Sequence, residues 1–97
     1  MATVVLTAAP ASAASAEWER SCGTTYYATV TENIAYTVKG DRGSCSGHAY
    51  VKIRDVTGWY NWKSDPDLAS ISRYDGWKIL ESAHKGCASC TPIYINP

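Results

Sequence analysis

Residues His48–Trp62 read HAYVKIRDVTGWYNW, in which apolar and polar residues alternate before a turn sequence. In the first half of this stretch, apolar residues alternate with Tyr50 and with basic residues, which is the period of a β-strand that buries one face. Thr57-Gly58 then offers a two-residue turn between two β-prone runs. The stretch therefore predicts a β-hairpin.

The register of this hairpin predicts which side chains are buried. With the turn at 57–58, Ile53 lies opposite Trp62, and the pleat alternates the two faces along each strand. The same register sets Lys52 opposite Lys63, an unfavourable pair that a bulge or a longer turn would relieve. We expect a core face formed by Val51, Ile53, Tyr60 and Trp62, and an outer face that carries Tyr50, Val56 and Trp59.

Turn residues separate several further β-prone runs. Asp75-Gly76 is a good hairpin signal between two of them, Ala69–Tyr74 and Trp77–Ala83. The spacing of apolar residues in Trp77–Ala83 also fits a helix, but we favour a strand. The chain is thus expected to be all-β, a small antiparallel β-sandwich or barrel of about six or seven short strands. The further runs are Thr24–Val30, Ile34–Lys39, Ala69–Tyr74, Trp77–Ala83 and Thr91–Asn96.

The amino terminus resembles the second half of a secretory signal peptide. Residues 1–16 carry no charge, and an apolar run is followed by two A-x-A sites, at 11–13 and 14–16. A basic segment before the apolar run is missing, so we expect the leader to begin upstream. We predict a partial signal peptide at 1–16, a short arm at 17–21, and a single β domain at 22–97 that is exported from the cell. An Ala-rich arm on a cytosolic protein is the alternative.

The chain has four cysteines, Cys22, Cys45, Cys87 and Cys90. In an exported protein they are expected to form two disulfides. We favour Cys22–Cys45 and Cys87–Cys90, while crossed pairings remain open because spacing alone does not fix connectivity. The C-x-x-C pair also occurs in redox and zinc sites, but the chain lacks the βαβ unit of a thioredoxin-like site.

Composition argues against several classes of function. Nine basic and nine acidic residues give a formal net charge of zero, so nothing electrostatic favours nucleic acid or an anionic membrane. His48 and His84 lie outside any nucleophile or metalloprotease motif, and we interpret them as surface or strand positions. Asp65 and Asp67 flank a proline, and we interpret them as part of a solvated loop and not as the paired carboxylates of a glycosidase. We therefore expect no catalytic residue, metal or cofactor, and no enzyme.

Two aromatic sites are candidates for binding a partner. An outer face with Tyr50 and Trp59, flanked by basic residues, suits a protein partner or a sugar ring. The alternative is that another sheet covers this face. In the arm, Trp18 is followed by Arg20, and the arm either inserts Trp18 into a groove of a partner or is a remnant of processing. The predicted partner-binding residues are Trp18, Arg20, Tyr50 and Trp59.

The layout of the chain resembles that of small exported actinobacterial proteins. The resemblance lies in the leader ending Ala14-Ser15-Ala16, the Cys22/Cys45 pair, the segment Gly47–Lys63 and the terminal segment His84–Cys90. Among such proteins, it is similar in layout to the adaptor subunits of secreted umbrella toxin particles, which join a lectin to a repeat-bearing stalk. The resemblance implies an adaptor with protein partners in the extracellular space, as a subunit of an antibacterial assembly.

The alternative is an inhibitor of a secreted protease or another hydrolase. A loop held rigid by a disulfide and presented to an enzyme cleft would suffice, because little conformational freedom is then lost on binding. Two segments of the chain are suited to this role, Gly40–Ser44 and Cys90–Tyr94.

Overall fold

The computed structural model describes residues 13–73 and 76–97. These residues form nine short strands and no helix, which confirms the all-β prediction with more strands than expected. None of them belongs to a helix long and apolar enough to cross a membrane. The strands are β1 (Ala14–Glu19), β2 (Thr25–Val30), β3 (Ile34–Lys39), β4 (Ala49–Asp55), β5 (Gly58–Trp59), β6 (Lys63–Asp65), β7 (Leu68–Ser72), β8 (Glu81–Lys85) and β9 (Ile93–Ile95).

The strands form two antiparallel sheets that pack face to face. The first sheet has the order β1-β2-β3-β7, and the second has the order β5-β4-β8-β9, with β6 also paired to β4. Strands β3 and β7 pack against β4, and β1 lies across from β9. The architecture is therefore a two-layer sandwich and not a closed barrel.

Both disulfides form with the pairing that we favoured. Cys22 is bonded to Cys45, at the two ends of the β2–β3 hairpin, and Cys87 is bonded to Cys90 in the turn after β8. No cysteine is left free. The crossed pairings are thereby excluded.

The core lies between the sheets and is built from small and β-branched side chains. Val51 and Ile53 are fully buried on the inner face of β4, as the alternation predicted. A narrow gap between two twisted sheets favours such residues, because they fill it without needing partners for polar atoms. The core cluster is Val30, Ala35, Ala49, Val51, Ile53, Ala69 and Ile79.

Strands β2 and β3 coincide closely with two of the predicted runs, and they pair as a hairpin. The strands pair from Tyr26 opposite Lys39 to Val30 opposite Ala35. The turn begins at Thr31, whose backbone N–H donates to the Ile34 carbonyl at 2.7 Å. Its hydroxyl also accepts from the backbone N–H of Ile34 at 3.1 Å. A Thr side chain that bonds the backbone in this way fixes a tight turn.

The β4–β5 hairpin forms, but the predicted register is wrong. Arg54 lies opposite Trp59 and Asp55 lies opposite Gly58, so the turn residues are 56–57. The cause is the Asp55 carboxylate, which accepts hydrogen bonds from the Thr57 backbone N–H at 2.8 Å and from its hydroxyl at 2.6 Å. This Asx-type turn holds the chain reversal one residue earlier than a Thr-Gly turn would.

A bulge between β5 and β6 overturns the predicted core positions of Tyr60 and Trp62. Two residues of β4, at 52–53, face three residues of the partner strand, at 60–62, before Val51 pairs with Lys63. The extra residue reverses the alternation beyond it. As a result Trp62 is half-buried on the outer face, and the Lys52–Lys63 opposition does not occur. Tyr60 is exposed at the edge of the sheet, where its hydroxyl donates to the Asp55 carboxylate at 2.8 Å.

The predicted strand Trp77–Ala83 and its hairpin with the preceding strand are also wrong. The strand begins only at Glu81, and β7 and β8 belong to different sheets. The segment 77–80 crosses between the sheets: Ile79 N–H donates to the Glu32 carbonyl, and Leu80 N–H donates to the Arg54 carbonyl. The helical alternative is not formed either. Asp75 of the predicted turn lies outside the described residues.

The first strand includes parts of both the predicted leader and the predicted arm. Ala14–Glu19 pairs with β2 along its whole length, from Ala14 opposite Val30 to Glu19 opposite Thr25. The segment 17–21, interpreted from sequence as a free arm, thus lies largely within an edge strand of the first sheet. Residues 1–12 of the predicted leader lie outside the described part of the chain.

Candidate functional site

The outer face of the second sheet carries a cluster of rings and lysines. Tyr50 and Lys52 project from β4 on the side opposite the core, since their neighbours Val51 and Ile53 point inward. Trp59 of β5, Trp62 of the bulge, Lys85 of β8 and Tyr94 of β9 join them. We call this set the aromatic–lysine face: Tyr50, Lys52, Trp59, Trp62, Lys85 and Tyr94.

The four rings of this face form two edge-to-face pairs. The ring centroids of Trp59 and Tyr94 are 5.7 Å apart at an interplanar angle of 79°. Those of Tyr50 and Trp62 are 6.2 Å apart at 87°. This geometry is the one that the quadrupoles of aromatic rings favour. The rings are therefore held in place before any partner arrives.

The two lysines lie over these rings. The Lys52 ammonium is 5.0 Å from the Trp59 ring centroid and 4.7 Å from that of Trp62. The Lys85 ammonium is 4.4 Å from the Trp62 centroid and 5.0 Å from that of Tyr50. Such cation–π contacts are worth about 0.5–1 kcal/mol each at exposed sites. Trp62 thus holds both positive charges close together.

The positive charge of the face is not neutralised within the described chain. Glu81, the acid on this side of the described sheet, is bound by Arg54 at 3.2 Å. Lys85 donates a hydrogen bond to the Ala88 carbonyl at 2.7 Å, which is an uncharged acceptor. Neither Lys52 nor Lys85 has a carboxylate within ion-pair distance among the described residues. The face therefore presents two uncompensated ammonium groups.

Ala83 shows how closely the face is packed. It is fully buried, yet it points away from the core, because its neighbours Ser82 and His84 point inward. Its cross-strand neighbours are Lys52 and Tyr94, so the side chains of the aromatic–lysine face cover it. The face is thus a small packed layer of its own.

Two of the predicted partner-binding residues belong to this face. Tyr50 and Trp59 share it, as the sequence predicted, although Trp59 reaches it through a different register. Trp59 is 41% exposed and Tyr94 is 53% exposed. The alternative, a further sheet over this face, does not occur among the described residues, since the other sheet packs on the inner side.

The other two predicted residues, Trp18 and Arg20, lie elsewhere and contact the fold itself. Trp18 stacks on Tyr26 with ring centroids 5.6 Å apart. The two hydrogens of Arg20 Nη1 are shared among the Ser46 carbonyl at 2.9 Å, the Gly86 carbonyl at 3.1 Å and the Tyr26 hydroxyl at 3.2 Å. Arg20 thus joins the end of β1 to the segments beside both disulfides.

This junction leaves no room for a larger residue at position 86. A Cβ atom on Gly86 would lie 2.7 Å from the Tyr26 ring. Tyr26 is fully buried, so its ring has little room to move away. The contacts of Trp18 and Arg20 therefore belong to a packed structural cluster.

His84 is buried between the sheets and has a complete set of hydrogen bonds. The Thr37 hydroxyl donates to the Tyr50 carbonyl at 2.8 Å, so it accepts at 2.7 Å from Nδ1–H of His84. The Ser82 hydroxyl lies 2.7 Å from Nε2 and is positioned to donate to it. These bonds assign a neutral imidazole with the proton on Nδ1.

Burial lowers the pKa of His84 to about 4, because a charged imidazolium is poorly solvated between the sheets. The neighbouring Ser82 and Thr37 are fully buried as well. A substrate therefore has no route to these groups in this conformation. The Ser–His–Thr arrangement is a structural network that links the two sheets.

Two carboxylates outside the face are held by local hydrogen bonds. The Thr57 hydroxyl is the largest cause that lowers the pKa of Asp55; burial opposes it, and the Thr57 backbone N–H, Tyr60 and Arg73 lower the pKa further. Backbone N–H groups of Asp67 and Leu68 lower the pKa of Asp65. Both carboxylates stabilise turns. The described residues contain no group of three or more His, Cys, Asp or Glu arranged to hold a metal ion.

Sequence reasoning missed three members of the face, which are Trp62, Lys85 and Tyr94. Trp62 was assigned to the core because a bulge has no clear signature in the sequence. Lys85 and Tyr94 lie on strands whose pairing with β4 is long-range. The alternation of His48–Val56 placed Lys52 on the outer face beside the aromatic residues, as the structure shows.

No family model matches the chain, and no similar protein was found among curated proteins or solved structures.

Proposed function

We propose that this protein is a secreted, non-enzymatic protein-binding or adaptor module that contacts its partner through the aromatic–lysine face. The observation that carries this proposal is the set of exposed, mutually packed rings with two uncompensated lysines. Tyr and Trp are enriched among the residues that dominate binding energy in protein interfaces.

The packing of the face supports a binding role on energetic grounds. Ordering a side chain on binding costs about 0.5–1.5 kcal/mol, and here the rings are already held by each other and by the lysines. Trp59 and Tyr94 remain about half exposed and offer apolar area to a partner. A partner therefore gains contact area at a low entropic cost.

Export is the second part of the proposal. It rests on the leader-like sequence at 1–16 and on two disulfides, which persist in oxidising compartments. The resemblance in layout to adaptors of secreted toxin particles suggests an extracellular antibacterial assembly as the setting. The partner is then another secreted protein.

A second candidate function is inhibition of a secreted hydrolase, and the loop Gly40–Ser44 favours it. Gly40 N–H donates to the Thr25 carbonyl, and Ser44 N–H donates to the Cys22 carbonyl. The disulfide at Cys45 fixes the end of the loop. The exposed residues 41–44 are thus presented by a braced loop, as a protease cleft requires.

The proposal is tested by capture of a partner from the culture medium of the producing organism. The bait is the wild-type protein, the Trp59→Ala variant or the Trp77→Ala variant. Trp77 is exposed to nearly the same extent as Trp59 but lies in the crossing segment, outside the face, and so serves as a matched control. We expect the partner with the wild type and with Trp77→Ala, and its loss with Trp59→Ala.

The inhibitor alternative gives a different outcome of the same experiment. A captured hydrolase whose binding depends on Arg42, in the Gly40–Ser44 loop, and not on Trp59 contradicts the proposed face. The Arg42→Ala variant identifies this case, because Arg42 is exposed and its removal leaves the disulfide in place.

A further inference from the structure

The outer face of the first sheet has the opposite charge to the aromatic–lysine face. Glu17 and Glu19 of β1 point outward, since Trp18 between them packs on Tyr26. No basic residue of the described strands shares this outer side, because Lys39 lies opposite Tyr26 on the inner register. The first sheet therefore exposes an acidic edge.

Apolar side chains continue this acidic edge across the sheet. Glu17 lies opposite Tyr27, Tyr27 lies opposite Val38, and Val38 lies opposite Leu68, so the four form one row over four strands. Tyr27 is 43% exposed and Leu68 is 48% exposed. We call this row, together with Glu19, the acidic face.

Each of the two faces carries two neighbouring charges, and the charges of the two faces have opposite sign. Alternate residues of a strand are about 7 Å apart, which sets the spacing of Glu17 and Glu19. The ammonium groups of Lys52 and Lys85 lie 4.7 and 4.4 Å from the same Trp62 ring centroid, so both charges flank one ring. Exposed apolar residues accompany the charges on both faces.

We propose that the acidic face of one copy of this chain binds the aromatic–lysine face of a second copy. The inference rests on the proposed function, because it names the partner of the same face. Glu17 and Glu19 would pair with Lys52 and Lys85, and Tyr27 and Leu68 would contact Trp59 and Tyr94. Different surfaces meet, so the contact is head-to-tail and extends into rings or chains.

The association is expected to depend on salt. The paired charges are at the surface, where ions screen attractions over a Debye length of about 10 Å at 0.1 M and about 3 Å at 1 M. Sedimentation velocity over increasing protein concentration should show a mass above that of the monomer at low salt. Raising the salt should shift the equilibrium back towards the monomer.

Two charge-reversal variants test the proposal. The Glu17→Lys/Glu19→Lys variant makes the acidic face basic, and both residues are exposed, so folding is expected to persist. The Lys52→Glu/Lys85→Glu variant makes the aromatic–lysine face acidic, and circular dichroism checks its fold. Each variant alone has two faces of like charge, and we expect its self-association to weaken at least tenfold. An equimolar mixture restores opposite charges and should assemble again.

Three results overturn the proposal. The wild type stays monomeric at all concentrations, or the Glu17→Lys/Glu19→Lys variant assembles like the wild type. The third is that an equimolar mixture of the two folded variants does not assemble. If the Lys52→Glu/Lys85→Glu variant does not fold, the self-association of the Glu17→Lys/Glu19→Lys variant tests the proposal by itself. These failures are separable from that of the proposed function. If a monomeric wild type captures a foreign partner through Trp59, binding of a second copy is refuted, while the proposed binding role of the aromatic–lysine face stands.

Discussion

Trp59 and Tyr94 lie on strands separated by two others, yet their ring centroids are 5.7 Å apart. The strands between them contribute Lys52 and Ala83 on this side of the sheet, and the small Ala83 leaves room for the rings to meet. The sandwich therefore has a second apolar layer outside its core. Because this layer is partly open to solvent, it is available to a partner.

Trp62→Ala should cost less stability than a core truncation. Trp62 is half-buried on the outer face, so we expect the free energy of unfolding to fall by about 1–2 kcal/mol. Ile53→Ala removes a fully buried core side chain and should cost about 2–5 kcal/mol. Urea denaturation of both variants measures the difference. An equal or larger loss for Trp62→Ala would show that Trp62 lies in the core and that the bulge does not form.

Acidification should destabilise the protein through His84. Its folded-state pKa of about 4 lies below the unfolded value of about 6.5, so below pH 6.5 the unfolded state binds the extra proton. The stabilisation is complete above pH 6.5 and is lost as the pH falls towards 4. The slope is about 1.4 kcal/mol per pH unit, or about 3 kcal/mol in total.

The His84 effect is separated from other titrations by comparison with His84→Gln. The variant should show a shallower fall in unfolding free energy between pH 6.5 and 4. An NMR titration of the wild type gives a direct reading, because the imidazole should still be neutral at pH 5.5. A protonated His84 at that pH would contradict the buried neutral network.

Arg20→Ala should destabilise the fold and leave partner binding unchanged. The variant loses hydrogen bonds to Tyr26, Ser46 and Gly86, and we expect a loss of about 2–3 kcal/mol in unfolding free energy. Thermal unfolding and affinity are measured on the same sample. A variant of wild-type stability that no longer binds would return Arg20 to the partner-binding role predicted from the sequence.

Loss of the Cys22–Cys45 disulfide should be more costly than loss of Cys87–Cys90. The first closes a loop with a sequence separation of 23 and the second one of 3, and the chain-entropy model gives about 3 and about 2 kcal/mol. Denaturation of the two double Cys→Ser variants measures the order. The oxidised wild type should be about 4 Da lighter than the reduced protein, as two bridges require. An unchanged mass on reduction would show free thiols.

Local pattern was sufficient for much of the fold. The alternation of Ile34–Lys39 and of His48–Val56 gave the strands and the burial of Ile53, and spacing favoured the observed disulfides. The pattern failed where a side-chain hydrogen bond or a long-range pairing determines the backbone conformation. The Asp55 carboxylate shifts the β4–β5 turn by one residue from its predicted position, and the segment 77–80 hydrogen-bonds to residues of both sheets or their turns.

The candidate site was predictable only in part for the same reason. Tyr50 and Trp59 could be placed outward from alternation alone. The position of Trp62 depends on a bulge, and Tyr94 joins the face through the pairing of β8 with β9. Trp18 and Arg20 were assigned to a partner because the pairing of β1 with β2, which gives them partners within the chain, is not readable from so short a segment.

The dissociation constant of the captured partner, measured for the wild type, Trp59→Ala and Trp77→Ala, shows whether the aromatic–lysine face binds it. If the aromatic–lysine face binds the partner, Trp59→Ala should weaken binding by about 2 kcal/mol or more, which is about 30-fold, and Trp77→Ala should change it less than twofold. Both variants should keep the wild-type fold, which circular dichroism on the same samples checks. Unchanged affinity of a folded Trp59→Ala variant, or a larger loss with Trp77→Ala, would show that the partner does not bind through the aromatic–lysine face.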